Sequence, residues 1–294
     1  MFSILNKQIL AQDIKRIDIH APDIAQRVQP GQFVMVAPRR TSESIPMAVV
    51  DKDERKGAIA LIVHEVGPTT RELGALSIRE EGHALAGPLG RSATVGKFGV
   101  VVLVATGIGA AQILPIGRAL KKSGNKVLGI IGAKTKRALM LESQLRVVCD
   151  EVTITTNDGS YALKGLATEV LEKFLKRMSI QMVYAIGSVE MMQAVTQMTS
   201  PQKIKTLVHL NPVMLSGLGS CGSCRVLVAG QERLACLEGP EFDGHAVDFE
   251  HLLVRMNAYK ELDECGNLSS SDSPKKKEST IFTRFLPALA KSRA

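Results

Sequence analysis

Apolar and polar positions follow two different patterns along this chain, and the first covers residues 1–95. There, short alternating or apolar runs are separated by Pro, Gly and Asp-Lys pairs, as in "DIKRIDIH", "GQFVMVAP", "IPMAVVDKD" and "GAIALIVHEVG". Short strands divided by turn residues are typical of a closed antiparallel sheet. The pattern predicts an antiparallel β-barrel domain over residues 1–95.

The second pattern begins at residue 96, where β-branched runs alternate with longer segments of helical character. The apolar runs predict strands over residues 100–106, 126–134, 151–158, 180–187 and 203–210. The segments between them predict helices over residues 109–122, 136–148, 165–177 and 188–199. Such an alternation builds a parallel sheet with helices on both faces. We therefore predict an α/β domain over residues 96–209.

Residues 98–117 carry no charge, and a stretch of this length could cross a bilayer. The β-branched run "VVVLVAT" and the turn signal "GIG" favour a buried strand followed by a helix instead. Pro115 would then kink this helix or lie in its first turns. The N-terminal residues include regularly spaced charges and lack the apolar stretch of a signal peptide. We expect a cytoplasmic protein with no transmembrane segment.

The composition changes again beyond residue 209. Residues 210–250 are rich in Gly and Cys and lack helical periodicity, which predicts a small cysteine-rich segment over residues 210–265. Residues 266–294 are polar enough to be disordered. Residues 267–294 hold six Lys or Arg against two acids, a net +4 of the whole chain's +8, so the folded part is only mildly basic. With 4% aromatic residues and no Trp, nucleic-acid binding by base stacking is disfavoured.

Small or polar residues follow three of the predicted strands in the α/β region. "ATGIGAAQ" places Gly107 and Gly109 at a strand-to-helix turn, as part of an incomplete dinucleotide fingerprint. Asn157 and Asp158 follow another strand, and Gly187 follows a third. Each of these alone is typical of an ordinary turn. Because three such strand ends share one edge of a parallel sheet, together they favour a bound dinucleotide.

The chemistry of the C-terminal segment depends on its cysteines. The chain has five, an odd number, and Cys221, Cys224 and Cys236 are close in sequence, which favours a metal or redox site over a disulfide framework. Plant-type iron-sulfur clusters use the spacing C-x4-C-x2-C and a distant fourth ligand. Cys221 and Cys224 form the x2 pair, and Cys236 is the distant ligand. Ser216 occupies the x4 position, where an oxygen replaces the usual thiolate.

Other sites are compatible with the same residues. A water molecule or Cys265 could replace Ser216 as the fourth ligand of a cluster. A zinc ion could be bound by the three cysteines and a histidine such as His245. A Cys-x-x-Cys dithiol without metal is the simplest redox alternative. If Ser216 does bind iron, its hydroxyl must first lose a proton to become an alkoxide, and this hard oxygen donor would favour ferric iron.

Several motifs resemble those of the ferredoxin-NADP reductase superfamily. They are "HEVGPTTRELG", "GPLG", "NPVM", "CGSCRV" and, most specifically, "PEFDGHAVDF". Within the superfamily, the chain is similar to the flavin and iron-sulfur electron-transfer subunits of dihydroorotate dehydrogenase, sulfide dehydrogenase and NADH-dependent reduced ferredoxin:NADP oxidoreductase. The resemblance covers most of the chain before the basic tail. It implies a barrel flavin domain, a parallel-sheet nucleotide-binding domain and a cysteine-rich iron-sulfur segment.

The resemblance also implies which residues bind each cofactor. FAD would be bound by residues of the barrel: Pro46, Met47, Ala48, Gly67, Thr69, Thr70 and Gly87. NADH or NADPH would be bound at the strand ends of the α/β domain: Gly107, Gly109, Asn157, Asp158 and Gly187. A [2Fe-2S] cluster would be bound by the four donors of the C-terminal segment: Ser216, Cys221, Cys224 and Cys236.

Three positions depart from the pattern of the superfamily. Its barrels usually carry an Arg and, a few residues later, a Ser or Thr at the flavin, and here Ser44 and Ala48 occupy those positions. One guanidinium and one hydroxyl are therefore missing from flavin recognition. Gln112 occupies a position where many relatives have proline. The candidates to replace the missing charge are three nearby arginines: Arg39, Arg40 and Arg71.

These features favour an electron-transfer subunit. NAD(P)H would reduce FAD, and single electrons would pass through the cluster to a larger flavoprotein with [4Fe-4S] centres, in a bifurcating or related complex. A ferredoxin or a hydrogenase-type subunit is a further candidate partner. Ser44, Ala48 and Ser216 favour the alternative of a diverged scaffold subunit that has lost flavin. A zinc-stabilised binding module is the third hypothesis.

Overall fold

The computed structural model describes residues 1–268, with side chains described as far as residue 259. Residues Met1–Val254 form one compact unit, and a second unit begins at Arg255. From residue 269 onward, the predicted disordered tail lies outside the described residues. The side chain of Cys265 lies outside them as well.

Seven antiparallel strands form the first sheet, which is nearly closed. Its strands are β1 (Phe2–Ala11), β2 (Ile14–His20), β3 (Phe33–Ala37), β4 (Ile45–Asp53), β5 (Ala58–His64), β6 (Glu81–Gly82) and β7 (Ala84–Leu89). Neighbouring strands follow the order β6-β1-β2-β5-β4-β3-β7. Two helices lie in the connections, α1 (Pro22–Arg27) and α2 (Pro68–Ala75). The predicted antiparallel barrel is confirmed.

The barrel core consists of the apolar side chains that alternate along its strands. Ile17 and Ile19 of β2 are fully buried, as is Leu61 of β5, because every second side chain of a strand points to the same face. Strand β1 was not predicted by this pattern. It carries irregularities between Ile4 and Asn6 and between Ile9 and Ala11, and such bulges interrupt the period of two.

The remaining elements begin at residue 100. Their strands are β8 (Val100–Thr106), β9 (Lys126–Ala133), β10 (Glu151–Thr156), β11 (Leu163–Lys164), β12 (Met182–Ile186), β13 (Lys205–His209), β14 (Arg225–Val228), β15 (Gln231–Leu234) and β16 (Glu241–Asp243). Their α-helices are α3 (Gly109–Lys122), α4 (Glu142–Val148), α5 (Ala167–Arg177), α6 (Val189–Thr199), α7 (Ala235–Glu238) and α8 (Phe249–Leu268).

The second sheet has the strand order β11-β10-β9-β8-β12-β13-β16. All neighbours are parallel except β16, which pairs antiparallel with β13. The predicted parallel sheet is confirmed, but β13 does not close it, because β16 from the "PEFDGHAVDF" motif adds an edge strand. Strands β14 and β15 form a separate hairpin.

The helix predicted over residues 136–148 is wrong as one continuous element. A single 3₁₀ turn covers Lys136–Ala138, Leu141 adopts a left-handed conformation with φ of 59°, and α4 begins only at Glu142. The interruption buries Met140 and Leu141 in the core, so tertiary packing outweighs helix propensity here. Residues 210–250 also contain the short helix α7, which the sequence pattern did not indicate.

The uncharged stretch over residues 98–117 forms β8 and the first half of α3, as predicted. Residues 101–105 are completely buried in the middle of the second sheet. Pro115 lies inside α3, which continues on both sides of it. Within residues 1–268, no helix combines the length and the apolar character needed to cross a membrane.

Candidate functional site

The carboxyl ends of the parallel strands bring two predicted dinucleotide segments together. Strand β8 lies between β9 and β12, so the chain leaves β8 at the point where the strand order reverses direction, which is where open sheets bind ligands. Gly107 follows β8 with φ of 55°, and Gly187 follows the adjacent β12. The hydroxyl of Thr106 accepts a hydrogen bond from the Ser188 N–H at 3.3 Å and joins the two loops.

Gly109 allows α3 to approach β12 closely. A Cβ atom at this position would lie 2.3 Å from the carbonyl oxygen of Ile186, so only glycine fits. At Gly107, in contrast, a Cβ atom would meet no atom within 4 Å, which leaves open space beside the first turn of α3. The helix N-terminus therefore faces an accessible region, as a pyrophosphate site requires.

Asn157 and Asp158 follow β10, two strands away from β8 in the sheet. The Asn157 N–H donates to the carbonyl of Ala133 at 3.0 Å, which fixes this turn to the end of β9. The Asp158 carboxylate accepts from Ser160 N–H at 3.0 Å and from its hydroxyl at 2.7 Å. These hydrogen bonds lower the pKa of Asp158 and leave an exposed carboxylate at the edge of the sheet.

Gln112 and Asn211 form a second polar pair at the same edge. Gln112 lies in the first turn of α3, and Asn211 follows β13 at the start of "NPVM". Each carboxamide donates to the other, at 3.4 and 3.3 Å. Gln112, which occupies a position where many relatives have proline, therefore connects α3 to the segment that leads into the cysteines.

The predicted flavin residues of the barrel flank one central strand. In the strand pairing, Pro46, Met47 and Ala48 of β4 lie opposite β3, from Met35 to Phe33. Gly87 belongs to β7, which pairs with the other edge of β3. A Cβ atom at Gly87 would lie 2.7 Å from Val34 Cγ1, which explains the glycine by close packing.

The remaining predicted flavin residues begin helix α2. Gly67 is the N-cap residue, and its N–H donates to the Thr70 hydroxyl at 2.9 Å. The Thr69 and Thr70 N–H groups lie in the first helical turn, where backbone N–H donors have no acceptor within the helix. The hydroxyl of Ser42 donates a hydrogen bond to Glu72, so α2 is joined to the loop that precedes β4. The two groups of predicted flavin residues are therefore neighbours.

The three arginines considered as replacements all have exposed side chains around these segments. Arg39 pairs with Glu80 at 3.6 Å. Arg71 lies on α2 directly after Thr70, and its Nε donates to the Glu65 carbonyl at 3.4 Å. A helix N-terminus and a guanidinium are both donors that bind phosphate groups.

Two of the four predicted cluster donors, Ser216 and Cys221, contact each other in a glycine-rich loop. The Ser216 hydroxyl donates to Cys221 Sγ at 3.3 Å, and the hydroxyl of Ser223 lies 3.2 Å from the same sulfur. These hydrogen bonds lower the pKa of Cys221 to about 6, with Ser216 as the larger contributor. Cys221 is exposed, so its thiolate is accessible at neutral pH.

The other two thiols are buried beside each other. Cys224 and Cys236 are both 1% exposed, and the Ala235 N–H donates to the Cys224 carbonyl at 3.1 Å. Burial, together with the adjacent Cys224 thiol, raises the pKa of Cys236 to about 11. A bound metal favours the thiolate form and removes this penalty. The donor set therefore fits an iron-sulfur cluster, which these residues would hold.

The zinc site with His245 is not assembled. The His245 Nε2 atom lies 3.1 Å from the Thr199 hydroxyl, where it is part of a contact with α6. Across the described side chains, no three His, Cys, Asp or Glu groups have the compact geometry of a site for a single metal ion. Cys221 contacts serines while Cys224 contacts Cys236, so the thiols form two neighbouring groups.

Three comparisons with known proteins show what this chain is similar to. The family model for the iron-sulfur cluster binding domain of dihydroorotate dehydrogenase B matches residues 211–248. The electron transfer subunit homolog of dihydroorotate dehydrogenase B (NAD(+)) from Thermotoga maritima is 36% identical over 261 residues, which are 88% of this chain and 91% of the relative. The corresponding subunit from Desulforamulus reducens is 32% identical over 257 residues, 84% of this chain and 97% of that subunit.

The chain belongs to the family of dihydroorotate dehydrogenase B electron-transfer subunits. The chain is also similar to a solved structure of NADH-dependent reduced ferredoxin-NADP oxidoreductase, which was studied for flavin-based electron bifurcation. The TM-score is 0.85 and the identity 33%, and the match covers 92% of this chain and 98% of that chain. Phthalate dioxygenase reductase shares the fold, with a TM-score of 0.56 and 15% identity. The match covers 84% of this chain and 97% of that chain. The predicted superfamily is thereby confirmed.

Membership of this family makes the chain an oxidoreductase-type electron-transfer subunit with flavin and iron-sulfur cofactors. Such a subunit works with a larger catalytic partner.

Sequence reasoning missed two residues that organise the site. Ser223 contacts Cys221, and Glu241 joins separate segments near Cys236. The only sequence signal for Glu241 was its place in the "PEFDGHAVDF" motif.

Proposed function

We propose that this chain transfers electrons between NAD(P)H, FAD and a [2Fe-2S] cluster, to or from a larger flavin and [4Fe-4S] partner subunit. The observation that carries this proposal is the pair of contacts Ser216–Cys221 and Cys224–Cys236, which lie in the same compact unit as a flavin-type barrel and a parallel sheet. We divide the chain into a flavin domain (1–95), a nucleotide domain (96–209), a cluster segment (210–265) and a tail (266–294).

For the nicotinamide nucleotide, we assign the edge of the second sheet. The first turn of α3 beside Gly107 and Gly109 would bind the pyrophosphate. The exposed Asp158 carboxylate would accept a hydrogen bond from a ribose hydroxyl, as acidic residues near such sites do. The cofactor supplies the hydride chemistry, while these residues bind it and fix its orientation.

For FAD, we assign the region around β3, β4 and the start of α2. The N–H groups of Thr69 and Thr70 would bind the pyrophosphate, and Arg71 on the same helix would supply the charge that Ser44 lacks. Pro46, Met47, Ala48 and Gly87 would border the ring system. Ala48 provides no hydroxyl, so this chain would orient the flavin through backbone groups and packing at that position.

For the cluster, we assign Ser216, Cys221, Cys224 and Cys236 as ligands. The contact between Ser216 and Cys221 supports the oxygen as fourth donor. A hard alkoxide stabilises ferric iron and lowers the potential of the cluster.

Ser216→Cys should therefore raise the midpoint potential, and Ser216→Ala should change the electron paramagnetic resonance spectrum. Ser77→Ala, which removes an exposed hydroxyl of the barrel region, is the control. Identical spectra and potentials for Ser216→Ala and the wild type would show that another group is the ligand.

For the partner, we assign the surface around the cluster. Leu215, Leu218 and Leu237 are 55%, 62% and 48% exposed, and they flank Ser216 and Cys236. Large apolar side chains that remain exposed together are typical of interaction surfaces. A partner bound there would receive electrons at the accessible side of the cluster and would shield it from water.

The experiment that tests this function is cofactor analysis after purification without oxygen. Iron, acid-labile sulfide, zinc and FAD are measured per chain, together with the visible spectrum. The proposal expects two irons, two sulfides and one FAD per chain, and bleaching of the flavin on addition of NADH or NADPH. A colourless protein, with zinc or with no cofactor despite the presence of its partner, would contradict it and support the diverged scaffold.

A further inference from the structure

The carboxylate of Glu241 joins three segments that are far apart in the sequence. The N–H of Thr94 donates to its two oxygens at 3.1 and 2.9 Å, and the Thr94 hydroxyl also donates to it. The hydroxyl of Tyr184 donates to the same carboxylate at 2.6 Å. All of these partners are donors, which matches an ionised carboxylate because that group only accepts.

These three residues belong to different parts of the fold. Thr94 lies in the connection between β7 of the barrel and β8 of the second sheet, Tyr184 lies in β12, and Glu241 begins β16. Tyr184 is completely buried, and its burial, together with the Glu241 carboxylate, raises the pKa of its hydroxyl well above the usual value. The hydroxyl therefore remains a donor, and Glu241 is attached to the interior of the second sheet.

Backbone contacts continue from Glu241 to the cluster donors. The Arg91 N–H donates to the Gly239 carbonyl at 2.6 Å, so residues 239–241 are bound to residues 91–94 at two points. Helix α7, which contains Cys236, ends directly before Gly239 and is hydrogen-bonded to Cys224 at its other end. Residues 90–94 and 239–241, which we call the seam, thus lie between the last barrel strand and two cluster thiols.

A second contact supports the other end of the cluster segment. Gly217, next to Ser216, packs so tightly on the barrel that a Cβ atom would lie 2.6 Å from Met35 Cγ and 3.1 Å from Leu89 Cδ1. Met35 of β3 is paired with Pro46, one of the predicted flavin residues. The cluster donors are therefore held between the seam on one side and the barrel surface on the other.

We infer that Glu241 is a positioning residue that fixes the cluster segment against the barrel and so sets the spacing between flavin and cluster. The inference rests on the proposed function, which assigns those two cofactors to the barrel and to the cluster segment. The step concerned moves one electron from reduced flavin to one ferric iron, which becomes ferrous. Electron transfer slows as the distance between donor and acceptor increases, so a loosened cluster segment should accept electrons from the flavin more slowly.

The test compares Glu241→Ala, Glu241→Gln and Tyr184→Phe in the full chain, with Glu232→Ala as matched control. Glu232 lies in the same segment on the exposed hairpin strand β15, away from the seam. Amide hydrogen exchange in residues 211–240 is measured first, because it does not depend on activity. Stopped-flow spectroscopy then follows flavin reduction and cluster reduction separately in a single turnover.

For Glu241→Ala, exchange in residues 211–240 should accelerate and cluster reduction should slow by at least about tenfold, with flavin reduction and iron content unchanged. Glu241→Gln keeps an acceptor for Thr94 and should recover part of the rate. Tyr184→Phe removes one hydrogen bond and should have a smaller effect. Unchanged exchange and unchanged cluster reduction in Glu241→Ala would overturn the inference.

A purely structural role gives a different pattern. In that case Glu241→Ala would lose flavin and iron together, while Tyr184→Phe would reduce its cluster at the wild-type rate, and this combination would also overturn the inference. If wild-type protein bound neither FAD nor a cluster, the proposed function would fail. The hydrogen-exchange comparison would still decide whether the seam holds residues 211–240 in place.

Discussion

The candidate dinucleotide residues of the second sheet follow strands such as β8, whose central side chains are completely buried. Three of the candidate cluster donors, in contrast, lie within residues 211–224, which contain no helix or strand. A buried aliphatic side chain contributes about 2 kcal/mol, and a hydrogen bond contributes about 1 kcal/mol net. The edge of the sheet is therefore shaped by the core before any ligand binds. The cluster segment depends on a few hydrogen bonds, tight glycine contacts and the metal itself.

Removing a cluster thiol should have the largest effect, because it should reduce bound iron in the cluster segment and leave the stability of the second sheet nearly unchanged. Cys224→Ser and Cys236→Ser should each reduce bound iron by roughly tenfold or more, because a buried hydroxyl replaces a thiolate ligand. The unfolding of the second sheet, followed by circular dichroism, should change little. Cys149→Ser alters a buried cysteine of the second sheet and is the control that keeps its iron. Loss of iron in all three variants would contradict the comparison.

Acid should act next most strongly, through His209 in the second sheet. Burial lowers the pKa of His209 from 6.5 to about 4. The unfolded chain therefore binds a proton at this histidine near pH 6.5, whereas the folded chain binds it only near pH 4. Stability should therefore be complete above pH 6.5 and fall as the pH decreases toward about 4. At about 1.4 kcal/mol per pH unit, the loss of unfolding free energy between pH 6.5 and about 4 is up to about 3.5 kcal/mol.

Urea unfolding at neutral pH and near pH 4 measures this effect. His209→Leu should lose less stability on acidification than the wild type by up to that amount. His20→Gln changes an exposed histidine of the barrel and should behave like the wild type. An equal acid effect in the wild type and His209→Leu would show that other groups are responsible. Any acid lability of the cluster is common to all three proteins and cancels in the comparison.

Substitutions of two glycines at the edge of the second sheet should have the smallest effects on the free energy of unfolding. They distinguish a packing cost from a cost of backbone strain. Gly109→Ala places a Cβ atom against a backbone carbonyl and should cost about 2 kcal/mol of unfolding free energy. Gly107→Ala meets no atom within 4 Å, so only its φ of 55° is unfavourable, at about 1 kcal/mol. Equal costs in urea unfolding would argue against the close approach of α3 to β12.

Most of the fold could be predicted from local patterns because those patterns report burial. Strand β8 and helix α3 have the predicted bounds, since an apolar β-branched run and a Gly-x-Gly turn each favour one structure. The broken helix before α4 could not be predicted, because Leu141 is left-handed only to bury a neighbouring apolar segment. The cysteine spacing indicated the cluster donors, but their contact with Ser223 follows from the folded loop.

The sequence by itself determined the two kinds of sheet, the cysteine-rich segment and the superfamily, because strand periodicity and ligand spacing are properties of neighbouring residues. Only the tertiary structure decided that β16 pairs with β13 and that Thr94 and Tyr184 meet at Glu241, 147 and 57 residues away along the chain. Such contacts form only after whole elements have packed. No local pattern of apolar and polar positions encodes which distant donors a half-buried carboxylate will meet.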